Sequence, residues 1–312
     1  MMNQSLQLRK IRDFGERIGD TIQFIKINWI KLLGLYAVYV IPFLLAGIIL
    51  GANSIGDFLA RFSGGLSSLS GLLGIKLVMA LLMFLFAASS YAAVVYLFMD
   101  HFEKTNGVAP SIAEIGRKYI KSFLYNISYS FLLFAMVIFG AAMLSIGFVV
   151  VKNSPFLIIA IIPLLFFSGF VAMVFILMLF PVNVIGNGKF GSAIPGTFRL
   201  LKGRWWFSIG FVLILFIIYY FFSMAISTML NLVFGFTSIN MMDPEKIAGA
   251  GKTYAYVFGL TTLVQQVFYL VIFVGSGVHY YSLQEEKLGA GLEHKIDSIG
   301  MGDKPETGRE EY

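Results

Sequence analysis

The sequence predicts an all-α membrane protein: six transmembrane helices, with amphipathic helices lying on the cytoplasmic membrane surface. Three observations carry that prediction. The 312-residue chain is 58% hydrophobic and only 13% charged, where soluble domains hold about 25% charged and about 45–50% apolar residues. A soluble core of this size could not hide so much apolar side chain. Six apolar runs each supply the ~20 residues that a helix needs to cross ~30 Å of hydrocarbon. Lys and Arg are shared unevenly between the connections of those runs, in the manner of the positive-inside rule.

The chain divides into an N-terminal segment, 1–29, a membrane domain, 30–282, and a polar cytoplasmic tail, 283–312. In the first segment Leu8, Ile11, Phe14, Ile18, Ile22, Ile25 and Trp29 recur at steps of three and four, the spacing of one helix face. Arg9, Lys10, Arg12, Arg17 and Lys26 lie off that stripe. Such a helix is expected in the membrane interface with its apolar face down. Trp29 then sits at head-group level, where an indole can be half wet, with Lys26 as a basic anchor. Nearly thirty mixed residues precede the first apolar run, so that run reads as a span and not as a cleavable signal.

The spans are expected at 30–52, 72–99, 123–151, 155–182, 205–233 and 254–281. Several exceed the minimum length, which implies tilt or continuation past the membrane surface. Pro42 and Pro163 fall inside spans and predict kinks. Between the first two spans, GANSIGDFLARFSGGLSSLSGLLG reads as a mobile Gly/Ser-rich loop with a short helix around DFLARF. KNS at 152–154 reads as a tight turn, 234–253 as a loop, and the last ten residues as disordered.

Eighteen Lys and Arg flank the termini and the second and fourth connections; five flank the other three connections. Both termini are therefore expected in the cytoplasm. The net charge of +6 is read as span-flanking residues that touch anionic lipid, so the partners expected are membrane lipids and other membrane proteins, not nucleic acid. The chain has no Cys, which excludes disulfides and thiolate metal sites.

One junction recurs. Thr21, Ile115 and Thr197 are each followed eight residues later by Trp29, Phe123 and Trp205, with Lys26 and Lys31, Lys118 and Lys121, or Arg199 and Arg204 nearby. Each junction feeds a pair of spans, which suggests three repeated helix-plus-hairpin units. The alternative is convergence of three junctions on one interface chemistry.

The third junction carries a resemblance. In FPVNVIGNGKFGSAIPGTFRLLKGRWWFSIGFVLIL, the residues Pro181, Val184, Ala193, Phe198, Arg199, Leu200, Lys202, Gly203, Trp205 and Trp206 fit a pattern in a bacterial membrane-protein superfamily. That superfamily includes the membrane domain fused to some glycerophosphodiester phosphodiesterases. The N-terminal IGDTIQFIKINWIKLL is similar to its opening helix. The resemblance implies a six-span domain of the bacterial cytoplasmic (inner) membrane, with no catalytic residue and no cofactor. Asn187-Gly188 departs from the acidic residue that relatives often carry in this turn.

The candidate site residues are few. Gln265 and Gln266 sit near the middle of the sixth span, where an unpaired amide is costly. With Thr262, Asn126 and Asn183 they form the candidate polar cavity; interhelical hydrogen bonds are the competing reading. Trp29, Trp205, Trp206, Lys26 and Arg204 are the candidate interfacial anchors. The three His are scattered and no Asp or Glu falls inside a span, so a metal site and a carboxylate relay lack residues. Two functions are expected: a non-enzymatic module that organises lipid or partner proteins through its amphipathic helices, or a transporter or flippase of a small or lipid-like molecule. A dry, fully packed bundle would favour the first and a large polar or open cavity at mid-membrane the second.

Overall fold

The computed structural model describes residues 6–62, 75–153, 158–186, 190–233 and 259–289. Among these every regular element is a helix. They are α1 (Phe14–Tyr39), α2 (Ile41–Phe62), α3 (Ile75–Lys104), α4 (Ile112–Lys121), α5 (Phe123–Asn153), α6 (Ile158–Ile185), α7 (Phe190–Leu201), α8 (Trp205–Val233) and α9 (Tyr269–Leu288). Residues 259–266 are also helical and lead into α9. Among the described residues four helices are long and apolar enough to cross a membrane: Val78–Lys104, Phe167–Ile185, Trp205–Leu230 and Gly259–Lys287. Two bent pairs raise the number to six if each is one span. The chain is thus a multi-pass membrane protein with four to six candidate spans.

Helix ends follow local chemistry. Asp13 caps α1 and Ser111 caps α4, each in a reciprocal box with the Glu three residues on, Glu16 and Glu114. Asn106 and Gly107 take positive φ, 54° and 95°, and turn the chain after α3. Gly203, at φ 80°, does the same between α7 and α8. The α1–α2 pair bends by 46° at Val40, just ahead of Pro42. The proline there occupies the first turn of α2, where its missing N–H leaves no bond unmade.

One expectation needs correction. The helix around DFLARF is the continuation of α2, so residues 51–62 are helical and not loop. α1 runs unbroken across residue 29 to Tyr39, and α9 across residue 283 to Leu288. The rest of the first external loop, the 234–253 loop, most of the tail and Asn187-Gly188 lie outside the described residues. The second and third junctions share a break between a short helix and a long one, at Ser122 and at Lys202–Arg204; the first has no such break.

The core surrounds two helices. α3 packs against α1, α2, α4, α5, α6 and α9, and Ser89 through Asp100 are buried on every side. Ile272 through Leu283 of α9 are buried likewise. Glycines permit this approach: a Cβ on Gly275 would lie 2.6 Å from Leu215 Cδ1, and one on Gly277 2.5 Å from Met99 Sδ. The end of the bundle that holds the start of α1 and the end of α9 is here termed the proximal end.

The face α1 turns inward carries polar groups beside apolar ones. Arg17, Thr21, Phe24 and Asn28 are buried; of the apolar stripe Leu8 is buried and Phe14, Ile18 and Ile25 pack on the core, whereas Ile11, Ile22 and Trp29 are exposed. Arg17 finds partners on other helices, and Thr21 and Asn28 bond carbonyls of α1 itself.

Candidate functional site: an apolar cavity with a polar proximal knot

A cavity of about 460 Å³ opens between α3, α5, α6, α8 and α9. Its volume falls in the range of small-molecule sites. Small residues on one face of α3, Ala88, Ser89 and Ala92, leave the space, and Leu133, Met173 and Phe216 close it from other helices. The cavity has polar side chains in its wall, but protein groups already occupy them. Ser89 Oγ meets Ser130 Oγ at 2.6 Å, and Tyr96 OH meets Ser276 Oγ at 2.7 Å. The Tyr129 hydroxyl donates to the Ile176 carbonyl, and its ring stacks on Phe180 at 3.7 Å. Tyr269 stacks on Tyr219 at 4.6 Å. What remains for an occupant is methyl, methylene and ring surface.

A second apolar space of about 570 Å³ lies on the other side of α6, bounded by α5, α7 and the start of α8. Ile176 borders both spaces.

At the proximal end the interior turns polar. The Arg17 guanidinium donates to Nδ1 of His279 and lies 4.4 Å from the centre of the Phe207 ring. His279 is fully buried, and its Nε2 meets Ser208 Oγ at 2.8 Å. Glu286 approaches Arg17 at 3.9 Å and pairs with Arg204. Arg12 binds Asp20 at 2.5 Å and the carbonyls of Leu8 and Lys10. The segment before α1 is thereby strapped over the bundle: Leu8 N–H donates to Glu103 at 3.0 Å and Arg12 N–H to Ser282 Oγ at 3.1 Å.

No protein-family model, curated protein or solved structure matches the chain.

The five residues proposed for a polar cavity are not brought together. None of them lines either space described above. Gln265 donates to the Ser223 carbonyl of α8 at 3.3 Å. Gln266 is buried with its Oε1 unpartnered among the described residues, and Thr262 is half-buried. Asn126 donates to Ser90 Oγ at 2.9 Å and Tyr119 OH at 3.0 Å. Asn183 is buried with neither amide atom bonded among the described residues. Of the anchors, Trp29 and Trp206 are exposed, Trp205 is half-buried against Phe198, and Lys26 is exposed. Arg204 is instead engaged by Glu286 at 2.6 Å.

Sequence reasoning missed the helix break beside the glutamines. At Val267–Phe268 the bonds shorten to a three-residue reach, Val267 N–H to Val264 and Phe268 N–H to Gln265. Two carbonyls nearby are taken by tyrosines: Tyr36 OH donates to Leu263 at 2.5 Å and Tyr91 OH to Val267 at 3.3 Å. The proximal knot was also missed. Its signal was the spacing of Arg17, Thr21, Phe24 and Asn28, a second stripe about 100° round the helix from the apolar one.

Proposed function

We propose that the protein is a non-enzymatic multi-pass membrane protein that binds lipid, holding an acyl chain or similarly apolar molecule between α3, α5, α6 and α9. The lining of the central cavity carries this reading. Its polar groups are turned to protein partners, and only an apolar occupant forgoes no hydrogen bond there. The frame is six spans in a bacterial inner membrane with both termini cytoplasmic, each bent pair counting as a span, and three helix-plus-hairpin units. The likeness to the membrane domains of glycerophosphodiester phosphodiesterases agrees with that frame. α4 and α7 then lie at the cytoplasmic surface, as their outward apolar residues favour: Ile112, Ile120, Ile194 and Phe198 are exposed near Lys121, Arg199 and Lys202.

Transport is the second reading. The cavity itself and the break at Val267–Phe268 favour it, because discontinuous spans commonly form the substrate sites of transporters.

The test uses a fluorescent polyunsaturated fatty acid and the purified protein in detergent. A Cβ on Gly169, in the cavity wall, meets no atom within 4 Å, so Gly169→Phe starts a bulky side chain in open space. The variant is expected to keep its thermal stability and to bind the probe about tenfold more weakly, ~1.4 kcal/mol. Unchanged binding in both Gly169→Phe and Ala88→Phe would remove the cavity from the reading.

A further inference from the structure

The second apolar space has a charged neighbour that the first lacks. Its wall near α7 is an aromatic shelf: Phe175 and Phe198 are 4.7 Å apart, and Phe198 and Trp205 6.1 Å. Lys202 stands one turn beyond Phe198, its N–H bonded to the Phe198 carbonyl at 3.0 Å, so the two side chains share a face. Arg199 adjoins Phe198. Both cations are exposed, and neither makes an ion pair or hydrogen bond among the described residues.

The acidic group that reaches this turn through Arg204 is already committed. Glu286 is shared by Arg204 and Arg17, and Lys287 adds a further positive charge close to Gly203. A positive corner therefore caps an apolar groove, beside an indole at its rim. We infer that this groove is a selective site for one anionic glycerophospholipid. Its acyl chain lies along α6 against Phe175 and Leu179, and its head-group phosphate rests on Arg199 and Lys202. A zwitterionic lipid brings its own ammonium to the phosphate and gains less from two uncommitted cations. Two cations held at the head-group level are expected to give the anionic lipid a preference of about tenfold.

This inference takes from the lipid-binding reading only the bilayer location; it does not use the central cavity. The chain has three Trp, so replacing Trp29 and Trp206 by Phe leaves Trp205 as the sole indole, on the groove wall. That protein is reconstituted in phosphatidylcholine vesicles containing rising fractions of phosphatidylglycerol with brominated chains, or of phosphatidylcholine with brominated chains. Half-quenching of Trp205 is expected at about tenfold lower mole fraction of the anionic lipid. Arg199→Gln with Lys202→Gln is expected to merge the two curves while leaving quenching itself intact. Coincident curves in the parent protein would mean ordinary annular contact and overturn the site. So would absence of quenching by either lipid, or a preference that survives loss of both cations. Adding Gly169→Phe, which fills the central cavity, is expected to leave the Trp205 curves unmoved, so the two lipid sites stand or fall separately.

Discussion

Arg17 on the first helix donates to Nδ1 of His279 on the last, across 262 residues of sequence. An Nδ1 that accepts carries no proton, so the imidazole is neutral and its Nε2–H donates to Ser208. One buried cation thereby ties α1, α8 and α9 together. Arg17→Gln is expected to lower stability by about 2 kcal/mol, the range for a hydrogen bond to a charged group. Thermal unfolding in detergent, followed by helical circular dichroism, measures it. A loss indistinguishable from that of the exposed Lys26→Gln would mean that Arg17 holds nothing together.

Tyr36 and Tyr91 take the carbonyls next to the helix break. Tyr36→Phe and Tyr91→Phe remove one hydroxyl each and leave the rings in place, 5.1 Å apart. Each is expected to cost about 1 kcal/mol. The bond from Tyr36 is the shorter, and its loss is expected to be the larger. Amide hydrogen exchange should rise at residues 264–268 in both variants; exchange that rises uniformly through the bundle would count against a local role.

Gly275 and Gly277 face different neighbours. A Cβ on Gly277 meets the far end of Met99, which can swing aside, whereas one on Gly275 meets Cδ1, Cδ2 and Cγ of fully buried Leu215. Gly275→Ala is therefore expected to destabilise by about 1–3 kcal/mol, and Gly277→Ala by less. Melting temperatures of the pair decide the order.

The box that starts α4 is pH-sensitive. Bonds from the Ser111 backbone and hydroxyl, at 2.8 and 3.0 Å, hold the Glu114 carboxyl below its ordinary pKa. A carboxyl lowered in the fold contributes fully above its ordinary value, and that contribution is lost as the pH falls through the lowered one. A spin label at Ala113, introduced through Cys into a chain that has none, should gain mobility over that window. Glu114→Gln keeps the box geometry and should remove the pH dependence.

The orientation makes a separate demand. Val108 is exposed beyond the end of α3, in a connection rich in basic residues. A Cys at this position is expected to react with an impermeant reagent only after the membrane is opened. Labelling in intact cells would reverse the proposed topology.

The positions of several long helices were legible in the sequence. The expected runs at 72–99, 123–151, 155–182 and 205–233 fall on α3, α5, α6 and α8, whereas that at 30–52 straddles the bend between α1 and α2 and that at 254–281 holds the break at Val267–Phe268. Hydropathy over a window is a local sum, and transfer into lipid is decided by that sum wherever the neighbours are. The helix at DFLARF was lengthened into α2 because Gly and Ser lower helix propensity without forbidding a helix. The candidate site was less legible. Gln265 and Gln266 stood out as costly groups, but α8 supplied Gln265 with a carbonyl, and the cavity formed where Ala88, Ser89 and Ala92 left room. Residue types alone could not reveal that space, since its walls come from five helices.

The sequence by itself determined an all-helical membrane chain, the places of its long apolar helices and the amphipathic pattern of its first segment. Only the tertiary structure decided which face of that segment looks inward. An amphipathic helix can lay its apolar side on a membrane surface or turn its polar side into a bundle, and its own residues are the same in both. The choice went to the bundle because Arg17 could be buried there with partners on other elements: His279, Glu286 and the Phe207 ring. Those partnerships depend on distances between helices, which no window along the chain contains.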